Sequence, residues 1–598
     1  MSTQVNLLGS PGITTDGVAA PRPRGSKCWA ALAYVLLSDR PVPRVRLVDL
    51  LFEDAEDPAA ALRWTLSQLR RGLGPAGDLS GDPLRWVAAE GTGVDVHVLE
   101  RGTWQEALAL PAFGGDLLEG LSMRVGPAFE LWLAGERRRL SATTAAILHE
   151  AAHDRLAQGE TATAVQLAMR LVACNPLEER GHELLVRVLV AAGEPDEAAS
   201  RARACEELFR RELGRAPSPA LRAALSVEPA AISAPRSQSA VLAAIDVGES
   251  AAQAGAYERA IDVLRQAVAG AGELSEEVNA RALAALGTVL VHGVRGSDEE
   301  AVTLLHRAHA LAKRCGAREV AARAAHELGV VETLRGHYAR MEAWFTEAAE
   351  LADGDERLLA WTNLYAGIGR TDQAEYASAE PTLRRAIEMA GRVGDQRASA
   401  YAATGLGRLH LLRGELEPAR QMLESASATT HRLGWTAFSA FPQSLLATVD
   451  LVEGREQEAQ DGLERAYATA CHVGDPCWES YALRGQGLVA AARGDDAAAL
   501  RLLREATRSS RRLPDTHAWV DGYCLEALCA FAVEHSLPEA PAWVDELEEF
   551  ASRRGMRELT LRALLHRSRL GQAGASASAQ MMLAAVDNPA LQDASRSV

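Results

Sequence analysis

Lysine is almost missing from this chain. Of its 63 basic residues only Lys27 and Lys313 are lysines and the other 61 are arginines, a bias of genome composition that carries no mechanistic message. Aromatic residues make up 5% of the 598 positions. With Ala, Leu and Arg dominating, this disfavours a sheet protein and favours helix. An excess of positive charge is also missing. A net charge of -17 excludes a chain that coats nucleic acid along its whole length, while leaving room for one small basic patch. The eight cysteines (Cys28, Cys174, Cys205, Cys315, Cys471, Cys477, Cys524 and Cys529) form no C-x-x-C pair, so they read as free thiols of a cytosolic protein, not a disulfide or zinc framework. There is no secretory h-region and no apolar run of about 18 residues, so a soluble, cytoplasmic protein without a membrane partner is expected. No G-x-x-x-x-G-K-[ST] loop occurs, and no Ser/His/Asp set or carboxylate pair stands out. The expectation is therefore no enzyme and no cofactor.

What is present is a repeat. Ala260, Ala301, Met341, Ala379, Ala419, Ala459 and Ala499 follow one another at intervals of 41, 40, 38, 40, 40 and 40 residues. Four residues after each stands Leu264, Leu305, Phe345, Leu383, Leu423, Leu463 or Leu503, and seven after stands an alanine. Five before is a glycine, except at Ala374. Twelve before is a small residue (Gly248, Gly329, Gly367, Gly407, Ala447, Gly487), except at Val289. Small residues let two antiparallel helices approach, the glycine allows the turn between them, and the large residue fills the gap to the next pair. The pattern resembles the tetratricopeptide repeat with longer helices, and places a superhelical array at 240–570. The tail, 571–598, is Ser/Ala/Gln-rich and expected to be flexible.

The same template fits earlier, where Ala164, Ala168 and Leu171 take the second-helix slots, Gly159 the turn and Ala152 the close-packing slot. This matters because Ala152 lies inside His149-Glu150-Ala151-Ala152-His153, the H-E-x-x-H pattern that in a metallopeptidase binds zinc through both histidines and uses the glutamate as base. The nearest helical candidates for a third ligand, Glu178 and Glu179, belong to the next helical segment. No metal is expected, and the face carrying His149 and His153 reads as helix surface or as a contact with the winged helix expected in the first hundred residues.

The first hundred residues differ. "VNLLG" and "GVAAP" read as short strands. Three helices follow, in "SKCWAALAYVLLSD", "VPRVRLVDLLFED" and "DPAAALRWTLSQLRRGLG", the last with Asp57 as N-cap, Pro58 at the first position and Gly74 past the end. A hairpin is expected at Leu84–Ala88 and Val94–Val98. This order is that of a winged helix-turn-helix. On the third helix Leu62, Leu66, Leu69 and Leu73 share one face at 100° per residue. Trp64, Ser67, Gln68 and Arg71 lie opposite, with Arg63 and Arg70 on a flank. A helix that reads the major groove needs guanidinium and amide groups outward and leucines inward. The expected DNA-binding set is Arg44, Arg63, Trp64, Ser67, Gln68, Arg70, Arg71 and Arg85. Against it, residues 1–100 hold 10 basic and 12 acidic groups.

"LRWTLSQLRRGLG", "GVDVHVLERGTWQEALAL", "GDLLEGLSMRVGPAFELWLAGERRRL" and "LVACNPLEERGHELLVRVLVAAGEPDEAASRARACEELFRRELGRAPSPAL" together resemble the antibiotic regulatory protein (SARP) family with its bacterial transcriptional activation domain (BTAD). The likeness covers about residues 5–225. It implies a mostly α protein: a winged helix-turn-helix at 1–98, an all-α BTAD at 99–225, a linker at 226–239 and then the repeats. It also implies promoter double-stranded DNA and RNA polymerase holoenzyme as partners and a role as a transcriptional activator. The ATP-binding module that larger members carry before the repeats is not expected here. Phe52 stands where the family usually has tryptophan, and Trp64 points outward where a polar residue is more usual. In the repeats, Trp361, Tyr401, Phe441 and Tyr481 form an aromatic column that with Arg408 and Arg484 would line the concave groove, for a small-molecule or protein effector. Inter-repeat packing is the alternative role for that column, and a homo-oligomer remains open. The alternative for the whole chain is a repeat scaffold whose winged helix does not bind DNA.

Overall fold

In the computed structural model the protein is mostly α-helical. The structure describes residues 3–595 apart from 21, 39, 226–234, 236 and 294. Most of the expected linker at 226–239 therefore lies outside the described residues. The chain divides into two compact units. The first comprises residues 1–147, 544–586 and 594–598, and the second 148–543 and 587–593.

The first unit opens with strands β1 (Thr3–Asn6), β2 (Gly12–Thr15) and β3 (Val18–Ala19) and helices α1 (Ser26–Leu36), α2 (Arg44–Leu51) and α3 (Pro58–Leu73). Strands β4 (Gly77–Gly81), β5 (Leu84–Ala88) and β6 (Thr92–Val94) follow, then helices α4 (Asp95–Arg101) and α5 (Trp104–Leu108). One sheet has the order β3-β2-β1-β6, with β1 antiparallel to β2 and parallel to β6. The hairpin is β4–β5, pairing Gly77 with Ala88 through Gly81 with Leu84. It replaces the pairing expected between 84–88 and 94–98. Only Val94 of that second segment is strand, because it joins β1, and Asp95 starts a helix. Asp95 makes the switch. Its buried carboxylate accepts from Leu7 N (2.7 Å), Leu8 N (2.8 Å) and Val96 N (2.7 Å), tying the end of β1 to the first turn of α4. Alternation alone cannot distinguish that first helical residue from another strand residue.

Helix α6 (Pro127–Ala157) carries the chain from the first unit's residues into those of the second. The second unit continues with α7 (Thr161–Cys174), α8 (Glu179–Ala191), α9 (Pro195–Leu213) and α10 (Pro219–Ala223). From Gln238 onward antiparallel helix pairs follow one another, for example Glu356–Asp372 with Tyr376–Arg392 and Gln396–Leu412 with Leu416–Arg432. The repeat slots have the contacts the pattern demands. A methyl placed on Gly367 would stand 2.6 Å from Leu383 Cγ, and one on Gly407 2.7 Å from Leu423 Cγ. The irregular positions have local explanations. Where Val289 breaks the series, Gly287 meets Leu305 instead. Where Ala447 fills the slot, the facing helix supplies Gly462, on which a Cβ would lie 3.0 Å from that of Ala447. Ala374, in the turn-glycine position, adopts the same left-handed conformation with φ 59°.

Part of the tail expected to be flexible, 571–598, has secondary structure. Residues Ala575–Ala585 and Pro589–Ser595 are helical, since Ala, Ser, Gln and Met are acceptable helix formers. Buried Asn588 donates from Nδ2 to Leu412 O (3.0 Å), and its Oδ1 caps Ala590 N (3.0 Å). All eight cysteines are free; Cys28, Cys205, Cys477, Cys524 and Cys529 are buried.

Candidate nucleic-acid interface

Helix α3 is built by its own sequence. Asp57 caps it, accepting from Ala60 N (2.8 Å), Pro58 occupies the first turn, and Gly74 ends it with φ 50°. The four leucines Leu62, Leu66, Leu69 and Leu73 are buried, with Thr65 between them. Burial of this face leaves Arg63, Trp64, Ser67, Arg70 and Arg71 exposed and Gln68 half-buried. Arg63 stands 4.0 Å from Asp57 in an exposed pair of little strength, so its guanidinium is available. Two of the predicted residues brace the hairpin. Arg70 Nε donates to Leu79 O in β4 (2.8 Å), and Arg44 Nε donates to Gly81 O (3.0 Å) while its backbone N donates to Asp82 Oδ1 (3.1 Å). Arg85 is exposed on β5. Trp64 keeps 51% of its surface exposed, while its ring edge lies 3.5 Å from where a Cβ on Gly25 would stand. It thus packs partly on the N-cap of α1. Phe52 is buried, with Lys27 Nζ 4.9 Å from its ring centroid. The surface so formed presents planar guanidinium and amide donors that suit phosphates or base edges.

The expected concave groove is different. Tyr401, Phe441 and Tyr481 are buried, and Trp361 and Arg484 are half-buried. Phe441 stacks on Trp478 (centroids 4.4 Å, 12°), Tyr401 packs on Phe438 (4.4 Å), and Tyr481 meets Trp519 edge-on (5.1 Å). Trp361 Nε1 donates to Asp395 Oδ2 (3.1 Å). Arg408 lies over Trp519 at 4.1 Å and donates to Asp372 Oδ1 at 2.6 Å. Arg484 Nε donates to Tyr523 O (2.9 Å). The space left among Tyr365, Tyr401, Arg408, Phe441, His517 and Trp519 is about 10 Å³, about one water-sized probe sphere. These side chains form packed interior, not an open groove. The sequence could not show this because Trp478, His517 and Trp519, which fill the space, lie outside the column's spacing.

The H-E-x-x-H segment also departs from expectation. His149 and His153 are buried, not surface, and a carboxylate stands between them. It is Glu299, and not Glu178 or Glu179. Glu179 is occupied by Ser218 N at 2.6 Å. Glu299 was invisible to sequence reasoning because it lies 146 residues beyond His153.

The family model of the bacterial transcriptional activator domain matches residues 95–226. The chain carries that domain. It begins at Asp95, where α4 starts, and runs through α10. No curated protein matches the chain. Among solved structures, a Rap protein complexed with competence and sporulation factor is similar at 12% identity, covering 60% of this chain and 99% of that one, with a TM-score of 0.43. The Rap conjugation gene regulator of plasmid pLS20, in complex with the Phr* peptide, is similar at 11% identity, with coverages of 60% and 99% and a TM-score of 0.39. Mycobacterium tuberculosis EmbR, in complex with a low-affinity phosphopeptide, is similar at 20% identity; the match covers 37% of this chain and 64% of EmbR, with a TM-score of 0.30. Likenesses of this size concern the fold alone. Among the described residues no helix is long and apolar enough to cross a membrane.

Proposed function

We propose that the chain is a cytoplasmic DNA-binding regulator of transcription that acts as an activator. In this reading β1–β6 and α1–α3 form a winged helix, with α3 entering the major groove and the β4–β5 hairpin as the wing. The activator domain at 95–226 helps recruit RNA polymerase. No catalysis is assigned. The observation that carries the proposal is the activator-domain match, preceded in sequence by a helix whose outward face offers Arg63, Ser67, Gln68 and Arg71.

Chromatin immunoprecipitation with sequencing, followed by footprinting of the best site, tests the reading and finds the regulated genes. On that site, the double variant Arg63→Ala/Arg71→Ala is expected to weaken binding. Each lost phosphate contact lowers the slope of log K against log salt by about 0.9, and each lost base contact costs about 1–3 kcal/mol. Unchanged affinity and salt slope would instead support the second reading, a scaffold whose winged helix does not bind DNA. The slight acidic excess of residues 1–100 favours that second reading.

A further inference from the structure

We propose that His149, His153 and Glu299 hold a divalent transition-metal ion of the zinc class, as a structural ion and not a hydrolytic one. The two histidines lie one helical turn apart on α6, with ring centroids 4.5 Å apart. Both direct Nε2 at the same carboxylate oxygen, Glu299 Oε2, at 3.0 Å from His149 and 3.3 Å from His153. One donor atom from each residue lies within 4.8 Å of the other two. Bonds of about 2.0–2.1 Å in a tetrahedral site place neighbouring donors about 3.3 Å apart, and the two His–Glu distances of 3.0 and 3.3 Å are already close to that spacing. Imidazole with a single carboxylate is a zinc-type donor set; it is neither the all-oxygen cage of calcium nor a thiolate site.

The surroundings fit the assignment. His153 is 1% exposed and Glu299 3%. The other oxygen of Glu299, Oε1, is engaged by Arg335 Nη2 at 2.6 Å. That guanidinium fixes the carboxylate, which is the part an outer-shell partner plays in a metal site; His149 Nε2 lies 3.0 Å from both carboxylate oxygens, and His153 faces Oε2. His306 stacks flat on His153 (5.3 Å, 7°) and limits its ring rotation. In a hydrolytic H-E-x-x-H site the glutamate must be free to take a proton from metal-bound water. Here Glu150 is buried and clamped by Arg340, Nε to Oε2 at 2.6 Å and Nη2 to Oε1 at 2.9 Å. The general base is withdrawn while the ligands remain. The ion would join a helix of the activator domain to Asp298–Cys315, the second helix of a repeat pair, so binding would couple to their packing. This inference stands whether or not the chain binds DNA.

The test uses the full chain, stripped with a chelator and titrated with Zn²⁺ or Co²⁺ alone. Zinc is expected to bind at one equivalent per chain and to raise the melting temperature. Cobalt is expected to give the visible d–d bands of a four-coordinate ion, the three side chains and one water. Glu299→Gln, which keeps the shape of the side chain, and His153→Ala should each weaken zinc binding about tenfold or more and abolish the bands. A variant with the exposed thiols Cys174, Cys315 and Cys471 changed to serine should keep both. Absence of cobalt bands in the wild-type chain overturns the proposal even if both ligand variants fail to fold. So does zinc retained in full by folded Glu299→Gln, or zinc lost with the three thiols.

Discussion

The close-packing slot of the repeats can be tested by one methyl group, placed twice. Gly407 is inside the helix Gln396–Leu412, and a Cβ there would lie 2.7 Å from Leu423 Cγ, 2.9 Å from Leu423 Cδ2 and 3.3 Å from the backbone oxygen of Ala419. Leu423 is fully buried, and its Cγ is a branch point that cannot swing aside. Gly391, near the end of Tyr376–Arg392, has no atom within 4 Å of the same position. Glycine to alanine in an exposed helix gains up to about 1 kcal/mol from backbone entropy. Adding a methyl to a filled core costs about 1–3 kcal/mol. Gly391→Ala is therefore expected to stabilise by about 0.5–1 kcal/mol. Gly407→Ala is expected to destabilise by about 1 kcal/mol, because the clash outweighs the same entropic gain. The readout is the urea midpoint at unchanged slope. If Gly407→Ala equals or exceeds the wild type while Gly391→Ala behaves as stated, the small residue is not there for helix approach, and the repeat argument fails.

Two further outcomes follow from buried charges. Arg408→Met leaves Asp372, buried and also hydrogen-bonded by Tyr338 Oη at 3.2 Å, without its ion partner. The cost should be about 3–5 kcal/mol, and much of it should return in Arg408→Met/Asp372→Asn; a single variant costing under about 1 kcal/mol would refute the pairing. At Glu327, burial works against the charge, but His292, with Nε2 at 2.9 Å, outweighs it and holds the carboxyl down to about 2. A depressed carboxyl stabilises the folded state above its unfolded value near 4.5, and that contribution is lost as pH falls from there towards 2. The denaturation midpoint of the wild type should drop through this window more steeply than that of His292→Gln. Parallel profiles would dismiss the His292–Glu327 pair as the cause.

Local rules made much of the architecture legible. The cap Asp57, the start Pro58 and the stop Gly74 delimit α3 because each acts within a few residues of itself. The outward placement of Arg63, Ser67 and Arg71 follows from helical periodicity and the four leucines on the other side. The 40-residue period located the helix pairs because every unit solves the same packing problem with the same small and large residues. Its exceptions needed the structure: at Val289 it is Gly287 that meets Leu305, and Ala374 takes the left-handed turn without a glycine.

The sequence by itself therefore determined the helical content, the register of the repeats and the face that α3 presents, since these depend on neighbours three to twelve residues apart. Tertiary structure alone decided what fills the interior. It turned Trp361, Tyr401, Phe441 and Tyr481 from a groove lining into packing, and it made Asp95 the first residue of a helix instead of a strand residue. It also brought Glu299 between His149 and His153 while Arg340 took Glu150 away. The physical reason is range. A side chain's partner across 146 or 190 residues is set by how helix pairs stack, and no local pattern along the chain records which charges that stacking will enclose together.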